Sequence, residues 1–207
     1  MPRIINVSKK MHDIKAIVEK LLPVFDSHKD EEHIEVEMRL GKYNGSFFDT
    51  NVGKETFEKV LEGLRKFIAW ENIQTSTCDI FYSDKNGIRI TSNHDTGDQK
   101  MIQKINVVKE DFTGTPTDLR FSVAREIPTW GEYEMDRKRT KTRHSFIRKN
   151  LSIDMTISSG DNVDMDSEEE CSYQIEFEII NPQDVKSRDE FFNIVHKVND
   201  LSKLIPM

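Results

Sequence analysis

The chain has 207 residues, 36% of them apolar and 32% charged, with a formal net charge of −7. That length sustains one good-sized core, and the acidic balance excludes a protein that grips nucleic acid over its whole surface, so any such contact must be local. No apolar run reaches membrane-spanning length, the N-terminus carries no signal-peptide core, and Cys78 and Cys171 stand apart without metal or redox spacing, which together predict an intracellular protein with two inert thiols.

A short extended lead precedes a first helix expected from about Ser8, a possible cap residue. Its apolar stripe is Ile14, Ile17, Val18, Leu21 and Leu22, and Pro23 is expected to end it. Next comes Ile34 to Leu40, which alternates strictly. Ile34, Val36, Met38 and Leu40 take one parity; Glu35, Glu37 and Arg39 take the other, so a strand presents three charges on one face. Side chains two apart on such a face lie roughly 6.5–7 Å apart, close enough for two carboxylates to lean onto one hard cation. A loop over Gly41 to Gly53, with a short strand near Ser46 to Phe48, leads to a second amphipathic helix from about Lys54 to Ala69. Phe57, Val60, Leu61, Leu64 and Phe67 form its stripe.

Strands then follow in quick succession. Thr75 to Ser83 and Ile88 to Thr91 are joined by the turn chemistry of Asp84-Lys85-Asn86-Gly87. Lys100 to Lys109 alternates imperfectly, with Lys100, Ile102 and Lys104 on one face. In Leu119 to Ile127, Arg120, Ser122, Ala124 and Glu126 share a parity, and Pro128 closes the strand. Arg139, Lys141 and Arg143 share one face of a basic strand over Arg137 to Ile147. Leu151 to Ile157 sets Ser152, Asp154 and Thr156 against an apolar face. Ser158 to Glu170 reads as an acidic loop without calcium-loop register. Tyr173 to Ile179 is a second acidic strand, with Gln174, Glu176 and Glu178 on its polar side. Ser187-x-x-Glu190 is a capping box opening a last helix.

Any one of these charged faces taken alone reads as the solvated side of a half-exposed sheet. Two acidic strands and a basic one favour a sheet closed on a polar interior, where the acidic walls hold a metal and the basic wall an anion. The helices then cover the outer apolar face. About eight or nine short antiparallel strands suit a barrel or a sandwich, and the polar parities select the barrel.

Glu35-Val36-Glu37-Met38-Arg39, Arg139-x-Lys141-x-Arg143, Asp154-Met155-Thr156 and Glu176-x-Glu178 occur in that order. The set resembles the metal-dependent RNA 5′-triphosphatases of fungal, protozoan and large DNA virus mRNA-capping systems, which are triphosphate tunnel metalloenzymes. The resemblance spans roughly residues 34–180. It implies a mainly β, closed eight-stranded antiparallel barrel with helices packed outside, the whole chain 1–207 forming a single tunnel domain. By the same resemblance Glu35, Glu37 and Glu178 hold Mg2+ or Mn2+. Glu126 orients or activates water, and Glu176 helps to position it. Arg89, Lys104, Arg139, Lys141 and Arg143 bind phosphate, with Lys100 competing for the place of Lys104. Arg39 and Asp154 complete the catalytic set. Two positions depart from the family pattern: Gln174 stands where members often carry a third glutamate, and Arg39 where related tripolyphosphatases usually have lysine.

The implied reaction removes the γ-phosphate from triphosphate-ended RNA. NTPs are further substrates, and a guanylyltransferase or further capping domains are partners. The implied location is intracellular, in host cytoplasm or virion if the source is viral, and not at a membrane. Competing expectations are an inorganic tripolyphosphatase or thiamine triphosphatase of the same superfamily, or a non-catalytic binder of RNA ends or polyphosphate. A mere anion binder gains nothing from acidic walls, which argues against the last.

Overall fold

The computed structural model describes residues 11–160 and 171–205. Three helices and nine strands follow in the order α1 (Ile14–His28), β1 (Ile34–Tyr43), β2 (Phe48–Asp49), α2 (Lys54–Lys66), β3 (Asn72–Ser83), β4 (Ile88–Asn93), β5 (Gln99–Phe112), β6 (Asp118–Pro128), β7 (Arg137–Arg148), β8 (Leu151–Gly160), β9 (Cys171–Ile179) and α3 (Arg188–Ser202). The strand order is β2-β1-β6-β5-β4-β3-β7-β8-β9, and β1 also pairs with β9. That last pairing closes eight antiparallel strands into a barrel and leaves β2 as a short flap on β1.

Alternation decides what faces where. Val36, Met38, Phe121, Val123, Met155, Ile175 and Phe177 point outward and are fully or almost fully buried. Val18, Leu21 and Phe25 of α1, Phe57, Val60 and Leu64 of α2, and Phe191, Val195 and Val198 of α3 join them in one core. The core therefore lies between the barrel wall and the helices, and each such side chain contributes about 1.5–3 kcal/mol of transfer energy. The lumen is left to the polar parity.

The boundaries differ from expectation in several places. The first helix is capped by Asp13, whose side chain accepts from the Ala16 N–H; the expected cap, Ser8, lies outside the described residues. Pro23 does not end this helix but sits inside it. Proline removes the N–H that would reach the Glu19 carbonyl, yet both residues are exposed, so water can take up that carbonyl. Phe25 beyond it is buried and stacks on Phe191 with ring centroids 4.5 Å apart, and this packing carries the helix through the proline. In the second helix the Trp70 indole donates to the Leu64 carbonyl at 2.8 Å, and the Phe67 N–H uses the same carbonyl, so the chain leaves the helix after Lys66 and Phe67 is exposed. The capping box of α3 is present, with Ser187 and Glu190 satisfying each other's N–H groups. Of the expected acidic loop, residues 158–160 continue β8 and residues 161–170 lie outside the described residues.

Candidate active site

Directly opposed residues of an antiparallel pair share a face, so the register alone assembles the lumen wall. Around the barrel it sets Glu35 beside Ala124, Glu37 between Ser122 and Glu178, and Arg39 between Arg120 and Glu176. Asp154 lies beside Glu176, and Thr156 lies between Gln174 and Arg143. Lys141 and Arg139 lie beside Cys78 and Ile80 of β3, Arg89 beside Tyr82 and Ile102, and Lys104 beside Glu126. The twelve residues singled out from the sequence as catalytic, metal-holding or phosphate-binding thus line one lumen.

One side of the lumen is acidic. Lys104 Nζ is paired with Glu35 in a very short contact and lies 3.4 Å from Glu126 and 3.8 Å from Glu37. Ser122 donates to Glu37 at 3.0 Å. Burial pushes the Glu35 carboxyl up to about 8, reinforced by the Glu37 charge against the pull of Lys104. Burial, then the Asp154 charge, lifts Glu178 to about 7. Glu37 resists the same burial and ends below the usual carboxylate range, because Arg39 and Lys104 outweigh it.

In the middle, Arg39 bridges two strands. Its terminal nitrogen donates to Glu37 at 2.9 Å and its Nε lies 3.0 Å from Glu176. Arg143 reaches Asp154 at 3.0 Å and Glu176 at 3.5 Å, and Ser152 donates to Asp154 at 2.5 Å. Burial opposes the charge on Glu176, but Arg39, Arg143 and Lys141 hold its carboxyl down at about 2.

The remaining wall is basic. Arg139 is held by Ser158 Oγ at 2.7 Å and by Ser172 Oγ at 3.3 Å. Among the described residues, neither Arg89 nor Lys141 has a carboxylate within 4.0 Å. Burial, then the Arg143, Arg39 and Arg89 charges, bring the Lys141 ammonium down to about 7 despite Glu176. Arg89 and Lys141, crowded by Arg143 and Arg39, repel these neighbours unless an anion enters between them.

The structure separates Lys104 from its competitor. Lys100 pairs with Thr91 and is exposed, whereas Lys104 is enclosed among glutamates. Gly87 fixes that placement: its φ of +67° is a glycine conformation, and its carbonyl accepts the Lys104 N–H at 2.8 Å. A Cβ at position 87 would stand 2.8 Å from the Lys104 carbonyl oxygen. Gln174 bonds Thr50 Oγ1 at 3.2 Å and so ties the chain after β2 to the barrel.

Sequence reasoning missed Lys109 and the Asp111–Arg120 pair. A β-bulge in β5 shifts the register between Asn106 and Val108, and beyond it Lys109 faces Ser122 and Asp111 faces Arg120. The imperfect alternation of this strand was the available signal. Arg120 closes on Asp111 with a two-point contact at 2.7 and 2.8 Å.

The donor set suits a hard divalent cation. Glu35, Glu37 and Glu178 offer only oxygen, Glu37 and Glu178 are directly opposed, and two of the three carboxyls are raised by burial and by neighbouring carboxylates. In the rotamers present, no three carboxylates among the described residues converge on one point, and Lys104 supplies positive charge instead.

The chain matches the family described as mRNA capping enzyme, beta chain, over residues 44–206. The match starts within the loop after β1, so Glu35 and Glu37 precede it. No curated protein matches the chain. Among solved structures it is similar to the S. pombe Pct1 RNA triphosphatase, with a TM-score of 0.71 at 16% identity over 99% of this chain and 98% of that one. The same enzyme in complex with the Spt5 CTD gives a TM-score of 0.71 at 19% identity, covering 99% and 97% of the two chains. The RNA triphosphatase domain of a trifunctional mimivirus mRNA capping enzyme gives 0.68 at 14% identity, covering 93% and 97%. At these identities the likeness is one of fold.

Proposed function

From the premise that the chain belongs to the mRNA capping enzyme β-chain family, a family of mRNA triphosphatases, we propose that its lumen hydrolyses the γ-phosphate of triphosphate-ended RNA in a metal-dependent reaction. The observation that carries this reading is the opposition of an acidic and a basic wall across one closed lumen, Glu35, Glu37 and Glu178 against Arg139, Lys141 and Arg143.

Glu35, Glu37 and Glu178 would hold Mg2+ or Mn2+, which supplies charge neutralisation at the phosphate oxygens. Arg89, Lys141, Arg143 and Arg139 bind and align the polyphosphate. Their cost of confinement is already met by the fold, so little reorganisation is needed when charge develops in the transition state. Arg39 and Asp154 position rather than react. Arg39 fixes Glu37 and Glu176, and Asp154 fixes Arg143.

Glu126 orients the attacking water and receives its proton. Its ion pair among the described residues is with Lys104 alone, whereas Glu176 is locked between two arginines. A carboxyl held near 2 is a weak base, which assigns Glu176 to charge balance and water positioning. The water oxygen bonds to the γ-phosphorus and the bond to the β–γ bridging oxygen breaks. Diphosphate-ended RNA and inorganic phosphate leave. The diphosphate end is the form a guanylyltransferase can cap, so such an enzyme, or further capping domains, is the proposed partner. NTPs would enter the same lumen, because the contacts proposed here are to phosphate and not to base or sugar.

Turnover of triphosphate-ended RNA relative to inorganic tripolyphosphate tests the substrate. Preference for RNA at equal concentration supports this reading; hydrolysis of tripolyphosphate alone would assign the chain to the small-polyphosphate branch of the fold.

A further inference from the structure

Lys104 sits where a cation is wanted. Its ammonium lies among Glu35, Glu37 and Glu126, carboxylates from two strands, while its own strand supplies the stem. Only 7% of the side chain is exposed. Two of these three carboxylates are the ones proposed above to hold the divalent metal, and an ammonium and a dication cannot share the same oxygens at such distances without strong repulsion.

We propose that Lys104 is the resident counter-cation of the acidic wall, and that a divalent metal binds by exchange with it. The inference rests on the metal-dependent reading above. In the ligand-free protein the ammonium offsets crowded glutamates. When metal arrives, the ammonium leaves Glu35 and swings into the lumen, where a phosphate can receive it.

The backbone is built for a stem movement of this kind. The Lys104 N–H is anchored on Gly87 and its strand pairs on both sides, so the four-carbon stem can turn without disturbing the wall. Arg39 differs. It is pinned between Glu37 and Glu176, two carboxylates on different strands, and a planar guanidinium bound at both ends does not exchange readily. Lys104 therefore couples the two ligands. A phosphate that receives the ammonium makes the carboxylates easier to vacate, and by linkage metal makes phosphate bind more tightly in return.

Mn2+ binding to the full chain, followed by calorimetry without substrate, tests this, with sulfate as the phosphate probe. Lys104→Met is expected to tighten Mn2+ binding on the order of tenfold and to reduce the extra tightening that sulfate gives the wild type. Lys104→Arg, which keeps the charge and can fork onto a carboxylate, is expected to weaken it. Lys141→Met, which removes a half-buried lysine of the same lumen that does not touch Glu35, should leave Mn2+ affinity near wild type. Unchanged or weaker Mn2+ binding in Lys104→Met, or equal tightening in Lys141→Met, overturns the exchange. If Lys104→Met does not fold, the arginine variant decides: binding as tight as wild type or tighter overturns the proposal. Absence of Mn2+ binding by the wild type overturns the metal reading itself, which separates that failure from failure of the exchange alone.

Discussion

Arg39 and Glu176 face each other across the β1–β9 seam that closes the barrel, with Arg39 Nε 3.0 Å from Glu176 Oε1. That Nε–H points off the line of the contact and makes no hydrogen bond among the described residues, so charge attraction holds the pair. Removing the cation leaves Glu37 and Glu176 buried beside each other. Arg39→Met should therefore cost about 3–5 kcal/mol of stability, the usual penalty for stranding a buried charge. Urea unfolding measures it, and a loss below about 1 kcal/mol, the range of surface ion pairs, would contradict the role.

The same pair sets an acid limb. The folded-state value of Glu176 is about 2, below its value in an unfolded chain. A depressed carboxyl contributes stability that is present above its unfolded value of about 4.3 and is lost as pH falls towards the folded value. Wild-type stability should fall through that window, and Glu176→Gln should lack this share of the fall. Parallel pH–stability curves for the two proteins would remove Glu176 from the account.

Glu126 and Glu176 are separable by chemistry. Glu126→Gln keeps shape and one acceptor oxygen but loses the charge that takes a proton. With metal and anion affinity retained, kcat should drop roughly 10²- to 10⁴-fold. Glu176→Gln should instead lose stability and disturb Arg39 and Arg143. Normal turnover by Glu126→Gln beside an inactive, folded Glu176→Gln would transfer water activation to Glu176.

Lys141 makes anion binding depend on pH. Its ammonium is brought down to about 7, so it is charged below that pH and increasingly neutral above it. Sulfate affinity of the metal-free protein should weaken as pH rises from about 6 to 8.5, since only the charged form attracts the anion. Lys141→Arg, protonated throughout, should flatten the curve. The stability sign is opposite. The unfolded lysine keeps its proton to about 10.4, so without anion stability rises with pH between the two values. A pH-independent sulfate affinity in the wild type would contradict this placement.

Strict alternation made β1 and β9 legible, and with them Glu35, Glu37, Arg39, Glu176 and Glu178. The basic parity of β7 was equally plain. The barrel itself followed from where charged faces must go, although no local signal shows that β1 pairs with β9. Lys109, Asp111 and the pairing of Asp111 with Arg120 lie beyond local pattern because one extra residue in β5 reverses the parity beyond Asn106, and bulges depend on the partner strand. Pro23 misled for a related reason: the contact of Phe25 with Phe191, distant in sequence, outweighs a local breaker. The family resemblance turns the charge of Lys104 toward phosphate, while its glutamate partners, on strands distant in sequence, emerge only when the lumen is assembled.

Release of inorganic phosphate from γ-labelled triphosphate RNA, with and without Mg2+, by the wild type and by Glu37→Gln, tests the central claim most directly. Glu37 joins the acidic wall to Arg39, Ser122 and the opposed Glu178. The account predicts Mg2+-dependent release by the wild type and a loss on the order of 10²-fold or more in a folded Glu37→Gln, the scale expected when charge stabilisation at the reacting phosphate is removed. Release that proceeds equally without metal, or near-wild-type turnover by Glu37→Gln at saturating Mg2+, would contradict it.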